Sequence, residues 1–168
     1  MTSCTCKKRF DLVTLLTLMV GLPGSGKTTR AKALAVETGA LRLTPDDWQT
    51  RLFDDDMHHP EHDRRHGTVE AIMWEIAAHL LAEGSDVILD FGFWSRAERI
   101  DFAARAAALG AACRIDYEPI ALDELERRIL ARNQETGGHF VIPPAVLQQW
   151  ADLFEAPDTR ELSGDFSP

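Results

Sequence analysis

The chain has 168 residues, which is enough for one domain with a substantial core and too few for two. Hydrophobic residues make up 45% and charged residues 27% of the sequence, as is usual for globular proteins. Its formal net charge of -9 gives no general attraction to phosphate backbones, so nucleic acid would bind only in a local basic groove. The overall charge therefore disfavours nucleic acid as a partner.

The first apolar run, LVTLLTLMV, follows the basic residues KKR and so imitates a signal peptide. The run is too short to span a membrane, and it leads directly into the segment VGLPGSGKTT. Its apolar residues do not alternate with polar ones, as is typical of a strand buried on both faces of a parallel sheet. We predict such a strand ending at Met19-Val20, and no membrane segment.

The cysteine count indicates a reducing compartment. Cys4, Cys6 and Cys113 form an odd set without the spacing of a four-ligand metal site. A chain of this kind is typical of a cytoplasmic protein with free thiols.

Strand and helix patterns alternate along the rest of the chain, which predicts an α/β domain with a parallel sheet. We expect one domain over residues 1–155, followed by a mobile tail from Ala156 that is rich in Pro, Ser, Gly and Asp. The predicted strands are Leu41–Leu43, Asp86–Asp90 and Cys113–Tyr117, and the predicted helices are Thr28–Glu37, Asp63–Glu83, Ser95 to about Gly110, Leu122–Arg132 and Pro144 to about Phe154.

The segment GLPGSGKT matches the phosphate-binding pattern G-x-x-x-x-G-K-[ST] at every fixed position, between a predicted strand and a predicted helix. Glycines let backbone N–H groups converge on a phosphate, and the helix N-terminus adds positive potential. Lys27 would reach the β- and γ-phosphates, and the Thr28 hydroxyl would bind Mg²⁺. We predict an ATP·Mg²⁺ site, with GTP as an open alternative, formed by Gly21, Pro23, Gly24, Ser25, Gly26, Lys27, Thr28 and Thr29.

Three carboxylates lie at or shortly after the ends of predicted strands. Ligands of α/β sheets bind beyond the carboxyl ends of the strands, where Asp46, Asp47 and Asp90 should lie. A carboxylate at this edge can take a proton from an attacking hydroxyl or bind Mg²⁺. We predict Asp46 as the general base, Asp47 as a helix cap or a substrate-orienting residue, and Asp90 as an acceptor or metal contact, although any of the three could be the base.

The chain resembles the small P-loop kinases, a group that includes the bacteriophage-type polynucleotide 5′-kinase domain, chloramphenicol phosphotransferase and zeta toxins. It is more closely similar to bacterial kinases labelled as AAA-family ATP-binding proteins. The resemblance covers about Val13 to Glu155 and rests on the segments GLPGSGKTT, LTPDDW, VILDFGFWSRAER, LERRILARN and VIPPAVLQQW.

This resemblance implies a P-loop kinase fold with four to five parallel strands, helices on both faces and a short lid. It implies Asp46 as the base, Asp90 near the acceptor, and Arg128 and Arg132 over the phosphates. Two arginines four residues apart share one helical face and could together clamp a phosphoryl group.

Two segments depart from the nucleic-acid kinases of this group. The lid segment RNQETGGHF lacks a further basic residue, and the acceptor loop FGFW is more apolar than theirs. Phe91, Phe93 and Trp94 could form a wall for the acceptor or could pack under the next helix. These departures favour a small acceptor that contacts Trp94.

Four of the six histidines fall within Met57–His66. His62 and His66 have an i, i+4 spacing that could bind a transition metal, although Mg²⁺ prefers oxygen ligands. The alternative is a loop whose imidazoles contact an anionic acceptor. The sequence leaves both possibilities open.

We therefore expect an ATP-dependent kinase that phosphorylates a hydroxyl group of a small antibiotic-, nucleoside- or sugar-like molecule. The expected protein is a monomer or weak homodimer in the cytoplasm. One alternative is a polynucleotide or RNA 5′-hydroxyl kinase, for which Arg96, Arg99 and Arg105 would have to form the basic groove. Another is a nucleotide-dependent switch ATPase with a protein partner and no acceptor.

Overall fold

The computed structural model describes residues 13–53, 59–135 and 142–167. The predictions concerning Cys4, Cys6, His58 and residues 136–140 of the lid segment lie outside these ranges. Within them the chain forms an α/β domain with helices on both faces of the sheet, which confirms the predicted fold class.

The sheet has four parallel strands in the order β2-β3-β1-β4. Leu16 pairs with Val87 of β3, and Leu15 pairs with Ala112 of β4. All the strands run in one direction, so their carboxyl ends meet at one edge of the sheet. The strands are β1 (Leu15–Val20), β2 (Leu41–Leu43), β3 (Val87–Gly92) and β4 (Ala112–Tyr117).

The five predicted helices begin and end within a few residues of their predicted bounds, because the local signals are strong. Gly39 ends the first helix with φ 76°, a left-handed conformation that glycine adopts without steric cost. The Ser95 hydroxyl caps another helix by accepting a hydrogen bond from the Glu98 N–H at 3.1 Å. The helices are α1 (Lys27–Thr38), α2 (Pro45–Phe53), α3 (His62–Ala82), α4 (Arg96–Ala108), α5 (Leu122–Glu135), α6 (Pro144–Leu153) and α7 (Thr159–Leu162).

The hydrophobic core has a layer on each face of the sheet. Leu16 and Leu18 of β1 belong to a large cluster with residues of α3 and α4, whereas Met19 packs with Ala31 of α1. Successive β1 side chains thus point to opposite faces, and both faces are covered. A third cluster joins α5 and α6 to Leu22 beside the sheet edge.

The segment after Ala156 differs from the mobile tail that we expected. It contains α7, which packs near β4 and has a complete capping box formed by Asp158 and Glu161. The Glu161 side chain is buried and forms an ion pair with Arg99 of α4. The polar composition suggested a solvated tail, but one of its acidic residues has a buried cationic partner.

None of the helices in the described ranges is both long and apolar enough to cross a lipid bilayer.

Candidate active site

The loop between β1 and α1 is held against the end of β3. The Gly21 N–H donates to the Gly92 carbonyl at 2.9 Å. Gly21 has φ 143°, and a Cβ atom there would lie 2.7 Å from the Ser25 Oγ. Gly24 has φ 85°, and a Cβ atom there would lie 3.1 Å from Ile129 Cγ1 of α5. The loop therefore needs glycine both for its backbone conformation and for its close packing.

A cavity of about 310 Å³ lies over this loop and carries an excess of positive charge. Lys27, Arg128 and Arg132 face a single carboxylate, that of Asp46. A concave site with backbone N–H groups, a helix N-terminus and three cations suits a triphosphate. The cavity is lined by Pro23, Gly24, Gly26, Lys27, Thr28, Thr29, Asp46, Arg128 and Arg132. Gly21 and Ser25 instead line a separate, mainly apolar cavity of about 170 Å³.

The structure brings the two predicted lid arginines to the same cavity. The Arg128 Nε donates to Glu124 Oε1 at 2.6 Å. The Arg132 Nη2 atom is buried and makes no hydrogen bond within the described part of the chain. A buried guanidinium N–H that faces an anion-binding cavity is suited to donate to a phosphate oxygen.

The Asp46 carboxylate lies at the junction of two cavities, the one over the phosphate loop and a larger one beside it. The His66 Nε2 lies 3.4 Å from Asp46 Oδ1. The hydrogen bond with His66 lowers the pKa of Asp46, and the charge of Lys27 adds to this effect. Asp46 is therefore ionised at neutral pH and able to accept a proton.

His66 lies between two carboxylates, because its Nδ1 is 3.4 Å from Glu70 Oε1. The hydrogen bond with Asp46 raises the pKa of His66, and the charge of Glu70 adds to it. His62 stacks on His66 with ring centroids 6.0 Å apart. The spacing of the two histidines had left a metal site open, but no group of three or more metal-binding side chains is found in residues 13–53, 59–135 and 142–167.

Asp47, the predicted helix cap or substrate-orienting residue, lies in the first turn of α2. Its side chain points to Arg42 of β2, with 2.8 Å between Arg42 Nη2 and Asp47 Oδ2, and it lines neither cavity. The same guanidinium lies 3.2 Å from Asp90 Oδ2 and also bonds the Thr44 hydroxyl. Sequence reasoning missed Arg42, although an arginine between two leucines in a short strand could have indicated a paired charge.

Asp90 lies at the end of β3 beside the phosphate loop and is 4% exposed. Burial raises the pKa of Asp90, while the charge of Lys27 and the nearby Thr28 hydroxyl oppose that shift. Its Oδ1 atom is buried without a hydrogen-bond partner of normal geometry among the described residues. Burial also lowers the pKa of Lys27, against the charges of Asp90 and Asp46.

The larger cavity, which we call the acceptor cavity, has a volume of about 550 Å³ and aromatic walls. Phe91, Phe93 and Trp94 all line it, and Phe93 has a positive φ of 44°. Trp150 of α6 packs on Trp94, with ring centroids 5.6 Å apart, and completes the wall. Sequence analysis did not identify Trp150 as a site residue, since nothing local shows that α6 returns to this loop. The lining consists of Pro23, Lys27, Asp46, His62, Asp63, His66, Gly67, Glu70, Phe91, Phe93, Trp94, Glu98 and Trp150.

The three arginines that a nucleic-acid groove would need do not form one. Arg99 is fully buried, and its guanidinium pairs with Glu161. The Arg96 Nε is 3.9 Å from both Asp158 Oδ2 and Glu161 Oε2. Arg105 lies over the rings of Trp74 and Phe102 and pairs with Asp101. Each of these cations is thus engaged within the protein.

Comparisons with known proteins assign the chain to a family and find structures of similar fold. Residues 16–157 match the model of a family described as an AAA domain. A chain of the Pnkp1/Rnl/Hen1 RNA repair complex is similar in fold, with a TM-score of 0.69 and 22% identity over 89% of this chain. So is a sugar kinase from Janibacter sp. HTCC2649, with a TM-score of 0.61, 21% identity, and coverage of 89% of this chain and 82% of that one.

A gluconokinase from Sinorhizobium meliloti 1021 has a TM-score of 0.53 and 19% identity, with coverage of 88% of this chain and 77% of the gluconokinase. The TM-scores show that these proteins share an α/β P-loop NTPase fold with this chain. The chain spans 46% of the length of its counterpart in the RNA repair complex. No curated protein sequence matches it.

Proposed function

The chain belongs to the AAA domain family, and we propose that it is a kinase that transfers the γ-phosphoryl group of ATP to a hydroxyl group of a small molecule. The position of Asp46 carries this proposal. Its carboxylate lines both the cationic cavity over the phosphate loop and the acceptor cavity, and so does the Lys27 side chain. A base at this junction can reach a hydroxyl that points towards the γ-phosphate.

The proposed reaction is a direct in-line transfer. The acceptor oxygen attacks the γ-phosphorus and forms a new P–O bond, while the bond to the β–γ bridging oxygen breaks and ADP leaves. The hydroxyl proton passes to the Asp46 carboxylate, whose lowered pKa keeps it ionised before the step. No covalent enzyme intermediate is required.

Positive charge in the phosphate cavity would stabilise the transferring group. Lys27 would contact the β- and γ-phosphate oxygens from the start of α1, and Arg128 and Arg132 would approach from α5. Preorganised donors around developing negative charge are the main source of catalysis in phosphoryl transfer.

Thr28 and Asp90 fit a Mg²⁺ ion that binds together with ATP. Mg²⁺ takes oxygen ligands and usually keeps only one or two from protein, the rest being phosphates and water. The Thr28 hydroxyl and the buried carboxylate of Asp90 beside it would supply such oxygen ligands. When bound, the ion would neutralise charge on the β- and γ-phosphates.

Two observations favour a small acceptor over a nucleic-acid end. The acceptor cavity has an aromatic wall formed by Trp94 and Trp150, and its charged lining is mainly acidic. In addition, Arg99 is buried and so is not available to a phosphate backbone. The fold similarity to a chain of an RNA repair complex does not bear on the acceptor at 22% identity.

The proposal is tested by incubating the purified full chain with ATP, Mg²⁺ and pools of small alcohols, and by following phosphorylated products by mass spectrometry. We expect a product with one added phosphoryl group, and we expect Lys27→Met to abolish it in a folded protein. ATP hydrolysis that depends on an added protein, with no phosphorylated alcohol in any pool, would instead identify a switch ATPase.

A further inference from the structure

The two cavities that meet at Asp46 carry opposite charge. The cavity over the phosphate loop has three cations, Lys27, Arg128 and Arg132. Among the described residues that line the acceptor cavity, four are acidic and Lys27 is the single lysine or arginine. Even if both lining imidazoles are protonated, the acidic and basic groups of this cavity leave an excess of one negative charge. The acidic residues are Asp46, Asp63, Glu70 and Glu98.

Glu70 and Glu98 line the acceptor cavity but not the cavity over the phosphate loop. Burial raises the pKa of Glu70, and the charge of Glu98 adds to this shift while His66 opposes it. Burial likewise raises the pKa of Glu98, although the charge of Arg99 and the backbone N–H groups of Ser95 and Trp94 oppose that shift. Two half-buried like charges repel each other, so a bound cation between them would relieve an unfavourable interaction.

The acceptor cavity also has electron-rich aromatic surfaces. Trp94 directly follows Phe93 on the acceptor loop, and Trp150 packs against it from α6. The face of an indole ring attracts an ammonium group, and it does so most strongly when water is excluded. Carboxylates beside aromatic faces are the combination that recognises an organic cation.

We propose that the acceptor is an alcohol that also carries a protonated amine, held between the carboxylates of Glu70 and Glu98 and the Trp94–Trp150 wall. The inference rests on the proposed function, because it takes the acceptor cavity as the site of the attacking hydroxyl. The amine would lie at the acidic end of the cavity and the hydroxyl beside Asp46. A second phosphate or a carboxylate on the acceptor would meet the negative lining and bind poorly.

A matched set of acceptors tests the charge preference. D-glucosamine, N-acetyl-D-glucosamine and D-glucuronate share a hydroxylated ring and differ in charge. The free-amine and acetylated forms of one aminocyclitol glycoside give a second pair of acceptors, with larger molecules. Binding to the full chain is measured by isothermal titration calorimetry with a non-hydrolysable ATP analogue present, and transfer is measured separately with ATP and Mg²⁺.

We expect the free-amine members to bind at least about tenfold more tightly than their acetylated partners, since a desolvated cation contact is worth about 1.4 kcal/mol or more. Glu70→Gln and Glu98→Gln should remove most of this preference while leaving affinity for the ATP analogue unchanged. Glu75→Gln is the matched control, because Glu75 lies on α3 with Glu70 but is exposed and does not line the cavity.

Three outcomes separate the inference from the proposed function. Equal or tighter binding of the neutral or acidic members, or the failure of every amine to bind, overturns the inference. A loss of affinity in Glu70→Gln and Glu98→Gln that is equal for all members also overturns it. Amines that bind through these glutamates but are never phosphorylated support the cationic site and count against the kinase assignment alone.

Discussion

Arg99 and Glu161 form an ion pair that is closed to solvent, with 2.8 Å between Arg99 Nε and Glu161 Oε1 and side chains that are 0% and 1% exposed. The same guanidinium donates to the carbonyl oxygens of Phe93, at 3.1 Å, and Glu155, at 2.8 Å. The Glu155 N–H in turn donates to the Trp94 carbonyl at 2.9 Å. The C-terminal helix α7 is therefore joined through one arginine to the loop that lines the acceptor cavity.

Breaking this pair should destabilise the protein strongly. Glu161→Gln leaves the Arg99 charge buried without its counter-ion, which typically costs about 3–5 kcal/mol. We expect a reduction of this size in the free energy of unfolding, measured with urea at neutral pH.

Asp165→Asn is the matched control for that measurement. It removes the exposed pair between Arg160 and Asp165 in the same C-terminal segment, and exposed pairs contribute about 0–1 kcal/mol. Equal losses in the two variants would show that the buried pair has no special role.

Substitutions of the two adjacent aspartates of α2 should affect phosphoryl transfer differently. Asp46→Asn keeps the size of the side chain but cannot take a proton, so we expect phosphoryl transfer to fall by ~10²–10⁴ with ATP affinity nearly unchanged. Asp47→Asn weakens a partly exposed contact with Arg42 and should have a much smaller effect. Both variants are compared by initial rates of transfer to the acceptor. An active Asp46→Asn beside an inactive Asp90→Asn would assign the base to Asp90.

The lid arginines should act mainly on the transition state. Arg128→Ala and Arg132→Ala remove donors from the cavity over the phosphate loop, and we expect each to lower the transfer rate by about 10²-fold with a smaller effect on ATP binding. Single-turnover rates and nucleotide titrations give the two quantities. Arg127→Ala is the control, because Arg127 pairs with the same Glu124 but does not line the cavity. If a variant lost ATP affinity without a fall in the single-turnover rate, its arginine would bind ATP in the ground state and would not act on the transition state.

Stability should depend on pH through the contact between His66 and Asp46. The pKa of His66 is raised by the hydrogen bond with Asp46, so the stabilisation from His66 is complete below its ordinary value of 6.5 and is lost as the pH rises through the raised pKa. The pKa of Asp46 is lowered, so its contribution to stability is present above the ordinary aspartate pKa of 3.8. That contribution is lost as the pH falls through the lowered pKa.

His66→Gln should therefore cost stability at about pH 6 and much less at about pH 9. The pair is partly open to solvent, so we expect a difference below about 1 kcal/mol. Urea unfolding of the wild type and the variant at both pH values measures it. His79→Gln, which replaces an exposed histidine on the same helix, should not show this dependence. A loss that is equal at both pH values would contradict the role of charge.

The sequence by itself determined the phosphate loop and the alternation of strands and helices along the chain. A buried run before GLPGSGKT and a helix after it are local patterns, and local patterns fix local backbone geometry. The parallel sheet followed from the alternation of elements, since parallel strands need crossover connections.

Only the tertiary structure decided which side chains meet at the site. Arg42 bonds both Asp47 and Asp90, although Asp90 lies 48 residues further along the chain. Trp150 of α6 packs on Trp94 of the acceptor loop. The same is true of Arg99, which the sequence offered as part of a basic groove and which the structure buries against Glu161. Such pairings depend on how helices pack over the sheet, and packing joins residues whose separation along the chain leaves no periodic signal.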